Sequence, residues 1–201
     1  MQIEYQHPNK TLRVFLSSES RRTLPHPHNR LVVGSSPTGP TTSLRSRRTS
    51  LDYSSPRGTP GRTANLRAPY HVQLEGEDGY SGFASMKDDN LVNYISGFYE
   101  KDLPLFIHAL GDGAVDQAIM ALSAAKKAHP GGDRRTQLIH LQQVQDDQYE
   151  TLQNLDVTMT YQIAHNFYFA DFHAKNTLGP ERTAALNPIQ AGINYGFSTT
   201  P

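Results

Sequence analysis

Leu103-Pro104-Leu105-Phe106-Ile107-His108-Ala109-Leu110-Gly111-Asp112-Gly113-Ala114-Val115-Asp116 is the stretch whose reading decides the fold. Leu103 to Ile107 form an apolar run of the length expected for a buried strand. Asp112 stands where it caps a helix carrying Val115, Ile119 and Leu122, which ends before Pro130-Gly131-Gly132. A buried strand leading directly into a helix predicts a βα unit of a parallel sheet.

The same alternation extends in both directions. On the amino-terminal side, Asp88-Asp89 precede Leu91, Tyr94, Ile95 and Phe98 at helical spacing. On the carboxyl-terminal side, Gln137–His140 predicts a strand, residues 146–154 a helix and Val157–Tyr161 a third strand. A helix over Glu181–Ala191 and a fourth strand over Ile193–Phe197 complete the pattern. About four βα units make half of an eight-stranded barrel or a small open sheet, with parallel pairing through crossovers. A half-barrel leaves open strand edges, through which the chain is able to self-associate.

Two histidines occupy equivalent places. His108 directly follows Ile107 and His140 directly follows Ile139, so each falls at a strand's carboxyl end, where parallel sheets and barrels place their sites. Neighbouring parallel strands bring such imidazoles together, and imidazole is a ligand for zinc and related metals. The other reading is a pair of hydrogen-bonded loop histidines. After the third strand come Gln162, His165, Asp171 and His173, interleaved with Phe167, Tyr168, Phe169 and Phe172. Aromatic walls with a few polar groups suit a small-molecule pocket, although such a loop also packs on its own core.

The 201 residues sum to zero formal charge, but the charge is segregated. Residues 1–69 carry 11 Lys/Arg against 3 Asp/Glu, and residues 70–201 carry 8 against 16. Ser, Thr and Pro make up 26 of the first 69 residues, whose apolar residues come as short islands. Two parts are therefore expected: a disordered Arg/Ser/Pro-rich segment over 1–69 and a folded domain over 70–201. The absence of cysteine excludes disulfides, thiolate metal sites and a thiol nucleophile. No apolar run reaches bilayer length and no secretory signal opens the chain, so a cytoplasmic protein without membrane partners is expected.

Several blocks in order resemble one family. The segment Ile107–Asp116 is similar to a signature of the amidohydrolase family 3 branch of the metal-dependent amidohydrolases, which includes N-substituted formamide deformylases. Arg134-Arg135 with Ile139-His140, Gln142 and Val144 is similar to the next block. His165–His173 resembles the family's aromatic loop, and Leu178–Arg182 with Asn187-Pro188 continue the order. The resemblance covers about residues 79–201 and none of 1–69. It implies a (β/α)8 barrel, TIM-type, of which this chain holds part. It also implies a divalent metal, usually zinc, and hydrolysis of an amide or formamide C–N bond other than a peptide bond. His108 and His140 then match ligand histidines, while His165, Asp171 and His173 match a loop near a small-molecule amide substrate. Asp112 reads equally well as a helix cap, and Arg134 and Arg135 as braces of a loop.

The sequence departs from that pattern at three places. The only His-x-His spacing is His26-Pro27-His28, with no strand leading into it. Gln73 stands near where a bridging lysine is looked for, and glutamine forms no carbamate. Thr199 falls where the family has an aspartate; its hydroxyl has no useful basicity, so no catalytic residue is assigned there. Together with the composition change near residue 70, these departures suggest a barrel fragment joined to sequence of another origin, its activity in doubt. The competing reading is a non-enzymatic protein whose basic arm, with Arg45, Arg47 and Arg48, binds nucleic acid or another partner. Specific nucleic-acid binding has little else in the sequence behind it.

Overall fold

The computed structural model describes residues 2–7, 10–15, 49–51 and 59–200, with side chains from Thr59 to Ser198. The chain divides into two units, Met1–Arg48 and Thr49–Pro201. The first contains an antiparallel pair, β1 (Gln2–His7) and β2 (Lys10–Phe15), in which Gln2 lies opposite Phe15 and His7 opposite Lys10. Alternating polar and apolar residues in Gln2-Ile3-Glu4-Tyr5-Gln6 give β1 its period of two.

The second unit is built on a parallel sheet of β3 (Thr49–Leu51), β4 (Leu105–His108), β5 (Thr136–Ile139), β6 (Val157–Thr160) and β7 (Thr199–Thr200), ordered as in the chain. Helices follow the strands: α2 (Asp112–Ala128) after β4 and α3 (Asp146–Gln153) after β5. Helix α1 (Asp88–Tyr99) precedes β4 and packs against α2. Consecutive parallel strands joined by helices form the architecture of a section of a (β/α)8 wall.

Strands β4, β5 and β6 alternate fully buried with half-buried residues. The buried set, Leu105, Ile107, Thr136, Leu138, Val157 and Met159, faces the helices, as the Tyr99 hydroxyl 3.3 Å from Oγ1 of Thr136 demonstrates. Helix α2 buries Ala114, Ala118, Ala121 and Ala125 beside Val115 and Leu122, and its close packing partners are α1 and α3. The half-buried face of the sheet carries His108, Gln137, Thr158 and Thr160 beside Phe106 and Ile139. A face this polar belongs beside a site rather than in a dry core.

Three expectations need correction. First, residues 59–69 are packed, and no change of fold falls at 69/70: Ala64 and Leu66 share a buried cluster with Tyr70, Leu178 and Leu186. Main-chain polar groups are satisfied there too, with Leu66 N–H donating to Ser81 O at 2.8 Å and Ala114 N–H to Asn65 O at 3.2 Å. Arg67 locks this segment to the helices. Its guanidinium forks onto Asp116 at 2.6 and 2.7 Å and onto Asp147 at 2.7 and 2.9 Å. Residues 16–48 and 52–58, including His26, His28, Arg45, Arg47 and Arg48, lie outside the described residues.

Second, the helix expected over Glu181–Ala191 is two helices, α6 (Gly179–Ala184) and α7 (Ile189–Asn194). Asn187 takes a left-handed φ of 53° directly before Pro188, and that pair ends one helix and starts the next. Third, Ile193–Phe197 is no strand. Helix α7 runs through Ile193, Gly196 turns the chain at φ 81°, and the strand is Thr199–Thr200. Among the described residues no helix is long and apolar enough to cross a membrane.

Candidate functional site

His108 ends β4, where its Cα lies opposite Ile139, so the next residue of β5's path, His140, comes alongside it. The two ring centroids are 4.7 Å apart with planes tilted by 56°. Past the strand ends the chains remain stitched, by Ala109 N–H to Ile139 O at 3.0 Å and Leu141 N–H to Thr160 O at 3.1 Å. His140 itself has a left-handed φ of 63°, which a non-glycine residue adopts only when its surroundings hold it there. Fold and register thus deliver two imidazoles to one point on the carboxyl edge of the sheet.

A second group lies farther along the same edge. After β6 come α4 (Ala164–Tyr168), α5 (Ala170–Phe172) and a π-helical turn over His173–Thr177. Nδ1 of His165 is 2.8 Å from Nε2 of Gln142 and 3.3 Å from Nε2 of His173. Nδ1 of His173 is 2.7 Å from the Thr177 hydroxyl, and the Thr59 hydroxyl donates to Oε1 of Gln142 at 2.6 Å. The result is a continuous polar line from Thr59 through Gln142, His165 and His173 to Thr177. Burial lowers the pKa of His165; burial, then the neighbouring His165, lowers that of His173 to about 4. Both rings are therefore neutral near pH 7.

Of the other residues singled out by sequence, Asp171 is exposed on α5, and no hydrogen bond or ion pair among the described residues joins it to His165 or His173. Asp112 is buried in the first turn of α2, where Oδ1 accepts from the Arg67 and Gly113 N–H groups and Oδ2 from Nε2 of Gln145. That is a joint between segments; the cap expected at Asp112 falls instead on Gly111, and Asp112 is the first helical residue. Arg134 braces its loop, with Nη2 donating to His129 O at 3.1 Å and the guanidinium 4.5 Å from the Tyr99 ring centre. Gln73 is likewise structural: Nε2 donates to Tyr70 O and Oε1 accepts from Tyr80 N–H. The backbone of Thr199 lies in β7 opposite Met159, and its side chain is outside the described residues.

Gln142, Thr59 and Thr177 were given no role by sequence. Gln142 is the one with a signal, standing two residues beyond His140 and fully buried despite being polar. Thr59 sits in a Ser/Thr/Pro-rich stretch with nothing to distinguish it. An open hollow of about 510 Å³, lined among others by Asp133, Asp156, Tyr195 and Phe197, lies at the amino-terminal end of β6 and shares no residue with either histidine group. It has no part in the site.

A hydrolytic zinc-type centre takes three protein donors and leaves a position for water. Among the described residues no three or more His, Asp, Glu or Cys side chains are grouped to hold an ion. His108 and His140 supply two donors of suitable chemistry. They do not make a complete centre, and no reaction step through a metal follows from the described residues.

A consecutive parallel sheet with its polar residues gathered on the carboxyl edge defines an α/β protein whose architecture fits part of a TIM-type fold. The chain belongs to the amidohydrolase family, whose model matches residues 9–200. That match reaches back almost to the start, so residue 70 is not where the family's sequence begins. The crystal structure of an uncharacterized metal-dependent hydrolase from Pyrococcus furiosus superposes with a TM-score of 0.60 at 25% identity, over 79% of this chain and 32% of that one. An uncharacterized metal-dependent hydrolase from Pyrococcus horikoshii OT3 gives 0.57 at 26% identity, over 76% and 30%. The chain therefore spans less than a third of the length of these structures. No curated protein matches it at a significant level.

Proposed function

We propose that this chain forms part of a metal-dependent hydrolase acting on C–N bonds other than peptide bonds, in the branch that includes N-substituted formamide deformylases. The observation that carries the reading is the His108–His140 pair, 4.7 Å between ring centroids at the carboxyl ends of adjacent parallel strands. On this reading the two imidazoles are donors to one divalent ion of the kind that imidazole suits, zinc among them. Such an ion, when bound, polarises a carbonyl oxygen and lowers the pKa of water. This chain's own part is to hold the two rings. The β4–β5 register fixes His108, and the left-handed backbone turns His140 toward it. Thr199 supplies no carboxylate to take a proton from water, so that role falls to a residue not identified in the chain.

The test is zinc and cobalt titration of the purified chain by calorimetry, alongside formate or acetate release from N-formyl and N-acetyl amines. The expected result is one metal per chain, lost in both His108→Ala and His140→Ala, with release that depends on it. A chain that binds neither metal and releases nothing overturns the proposal.

A further inference from the structure

The polar line from Thr59 to Thr177 has a direction. The Thr59 hydroxyl donates to Oε1 of Gln142, which leaves the Gln142 amide nitrogen as the donor. That nitrogen faces Oε1 of Gln162 at 3.3 Å and Nδ1 of His165 at 2.8 Å, spending its two hydrogens on them. Nδ1 of His165 is then an acceptor. A neutral imidazole carries one hydrogen, so His165 bears it on Nε2. The second ring is compatible with this: when the Thr177 hydroxyl donates to Nδ1 of His173, Nε2–H of His173 shares the single Nδ1 lone pair of His165 with the Gln142 amide, as the longer contact of the two at 3.3 Å.

Among the described residues nothing consumes the Nε2–H of His165: the hydrogen bonds of this ring there fall on Nδ1, and the ring is half-buried rather than enclosed. It packs against Phe169, ring centroids 4.9 Å apart with planes tilted by 40°, and Phe169 itself is 39% exposed. We propose that His165 is a ligand-binding residue, a neutral Nε2–H donor held in one tautomer by Gln142 and His173. Its ligand is the carbonyl oxygen of a small amide whose apolar substituent rests on the exposed Phe169 ring.

The chemistry selects that ligand. An uncharged N–H donor favours a neutral carbonyl oxygen over a phosphate or carboxylate, which cationic forks bind better. Burial keeps the ring uncharged across the neutral range, so the donor does not change character with small shifts in pH. The amide class of the ligand rests on the function proposed above; the donor and its tautomer do not.

The test uses the full chain with ¹⁵N-labelled histidine, read by long-range ¹H–¹⁵N correlation at neutral pH and titrated with N-methylformamide. The expected spectrum shows His165 and His173 both as Nε2–H tautomers, with Nε2 of His165 moving as the amide saturates. His165→Phe weakens binding about ten-fold, read at the backbone amides of Gln162 and Phe169, and His165→Gln, which keeps a side-chain N–H, stays within about three-fold of wild type. Gln142→Met leaves His165 with mixed tautomers. An Nδ1–H tautomer in the wild type, or an Nε2 signal unmoved by the amide, overturns the inference. Neither metal nor hydrolysis enters the readout. A moving Nε2 signal in a chain without metal or turnover retains the donor and removes the hydrolase reading, whereas an active chain with an unmoved signal does the reverse.

Discussion

Nδ1 of His165 stands 3.3 Å from Nε2 of His173, close enough that the two rings share one hydrogen between them and cannot both be charged. His173 is fully buried, between the Thr177 hydroxyl and the Phe169 and Phe172 rings, and among the described residues no carboxylate bonds to it. The fold therefore requires this ring neutral.

A pH dependence of stability follows. The pKa of His173 falls from 6.5 in the unfolded chain to about 4 in the folded one, so protons bind the unfolded state first. The contribution is fully present above 6.5 and is lost as pH falls toward 4. Across that window it amounts to about 3 kcal/mol. Urea unfolding at several pH values from 7 to about 4 should show the loss, and His173→Gln should flatten it. An unchanged slope in that variant would place the acid sensitivity elsewhere.

Arg67 joins two helices through one guanidinium. Its forks onto Asp116 and Asp147 hold α2 and α3, and Nε2 of Gln148 donates to the same Asp116 oxygen at 2.7 Å. The bond to Arg67 keeps the Asp147 carboxyl below its ordinary range. Because the side chains are partly exposed, each pair is worth little alone, and the bidentate network raises the total to about 1–2 kcal/mol. Arg67→Ala should lower stability by that amount, less so at high salt. Arg67→Lys should not restore it, because an ammonium cannot fork onto two carboxylates. Denaturant melts of both variants measure the difference.

Gly111 tests whether residues 59–69 dock as described. A Cβ at Gly111 would stand 2.1 Å from Asn65 O and 2.8 Å from Cδ2 of Leu66, and the nearer clash is with backbone. Gly111→Ala should therefore cost about 3 kcal/mol by forcing that segment off the start of α2. Gly97, inside α1 with open space around it, is the control: Gly97→Ala should stabilise by about 0.5–1 kcal/mol through helix propensity. Equal small effects at both sites would mean that the segment does not sit against α2.

The parts of this fold that sequence exposes are those coded locally. Ile107-His108 and Ile139-His140 mark strand ends because an apolar run stops at a polar ring. Helix α2 is visible in Asp112, Val115, Ile119 and Leu122 for the same reason. Leu66 is invisible by that route: its partners Leu178 and Leu186 lie more than a hundred residues on, and its neighbours look like a solvated tail. Ile193 to Phe197 misleads, since a β-branched and aromatic run reads as a strand until Pro188 has set a helix in front of it. The site divides likewise. The His108–His140 pair follows from strand position, whereas the Thr59–Gln142–His165 line depends on tertiary packing that no spacing records.

His140 combines a strained backbone with a ligand role, and the two are separable. Its φ of 63° is a conformation in which a Cβ crowds the following carbonyl, at a cost of about 1–2 kcal/mol for an ordinary residue and least for Gly or Asn. The Gln142 N–H, 2.6 Å from His140 O, helps to hold the turn, which brings the start of the polar line to within two residues of the metal-donor pair. His140→Asn should therefore fold with nearly wild-type stability, while His140→Val, β-branched at the same φ, should lose a further 1–2 kcal/mol or so. Both remove the imidazole, so both should lose the metal affinity proposed for the His108–His140 pair. Thermal melts and zinc titration of the two variants read these effects independently: metal lost in both, with stability lost only in valine, assigns the backbone to the fold and the ring to the ion. Equal stability of the two variants would show that the left-handed turn is not imposed by the surrounding structure.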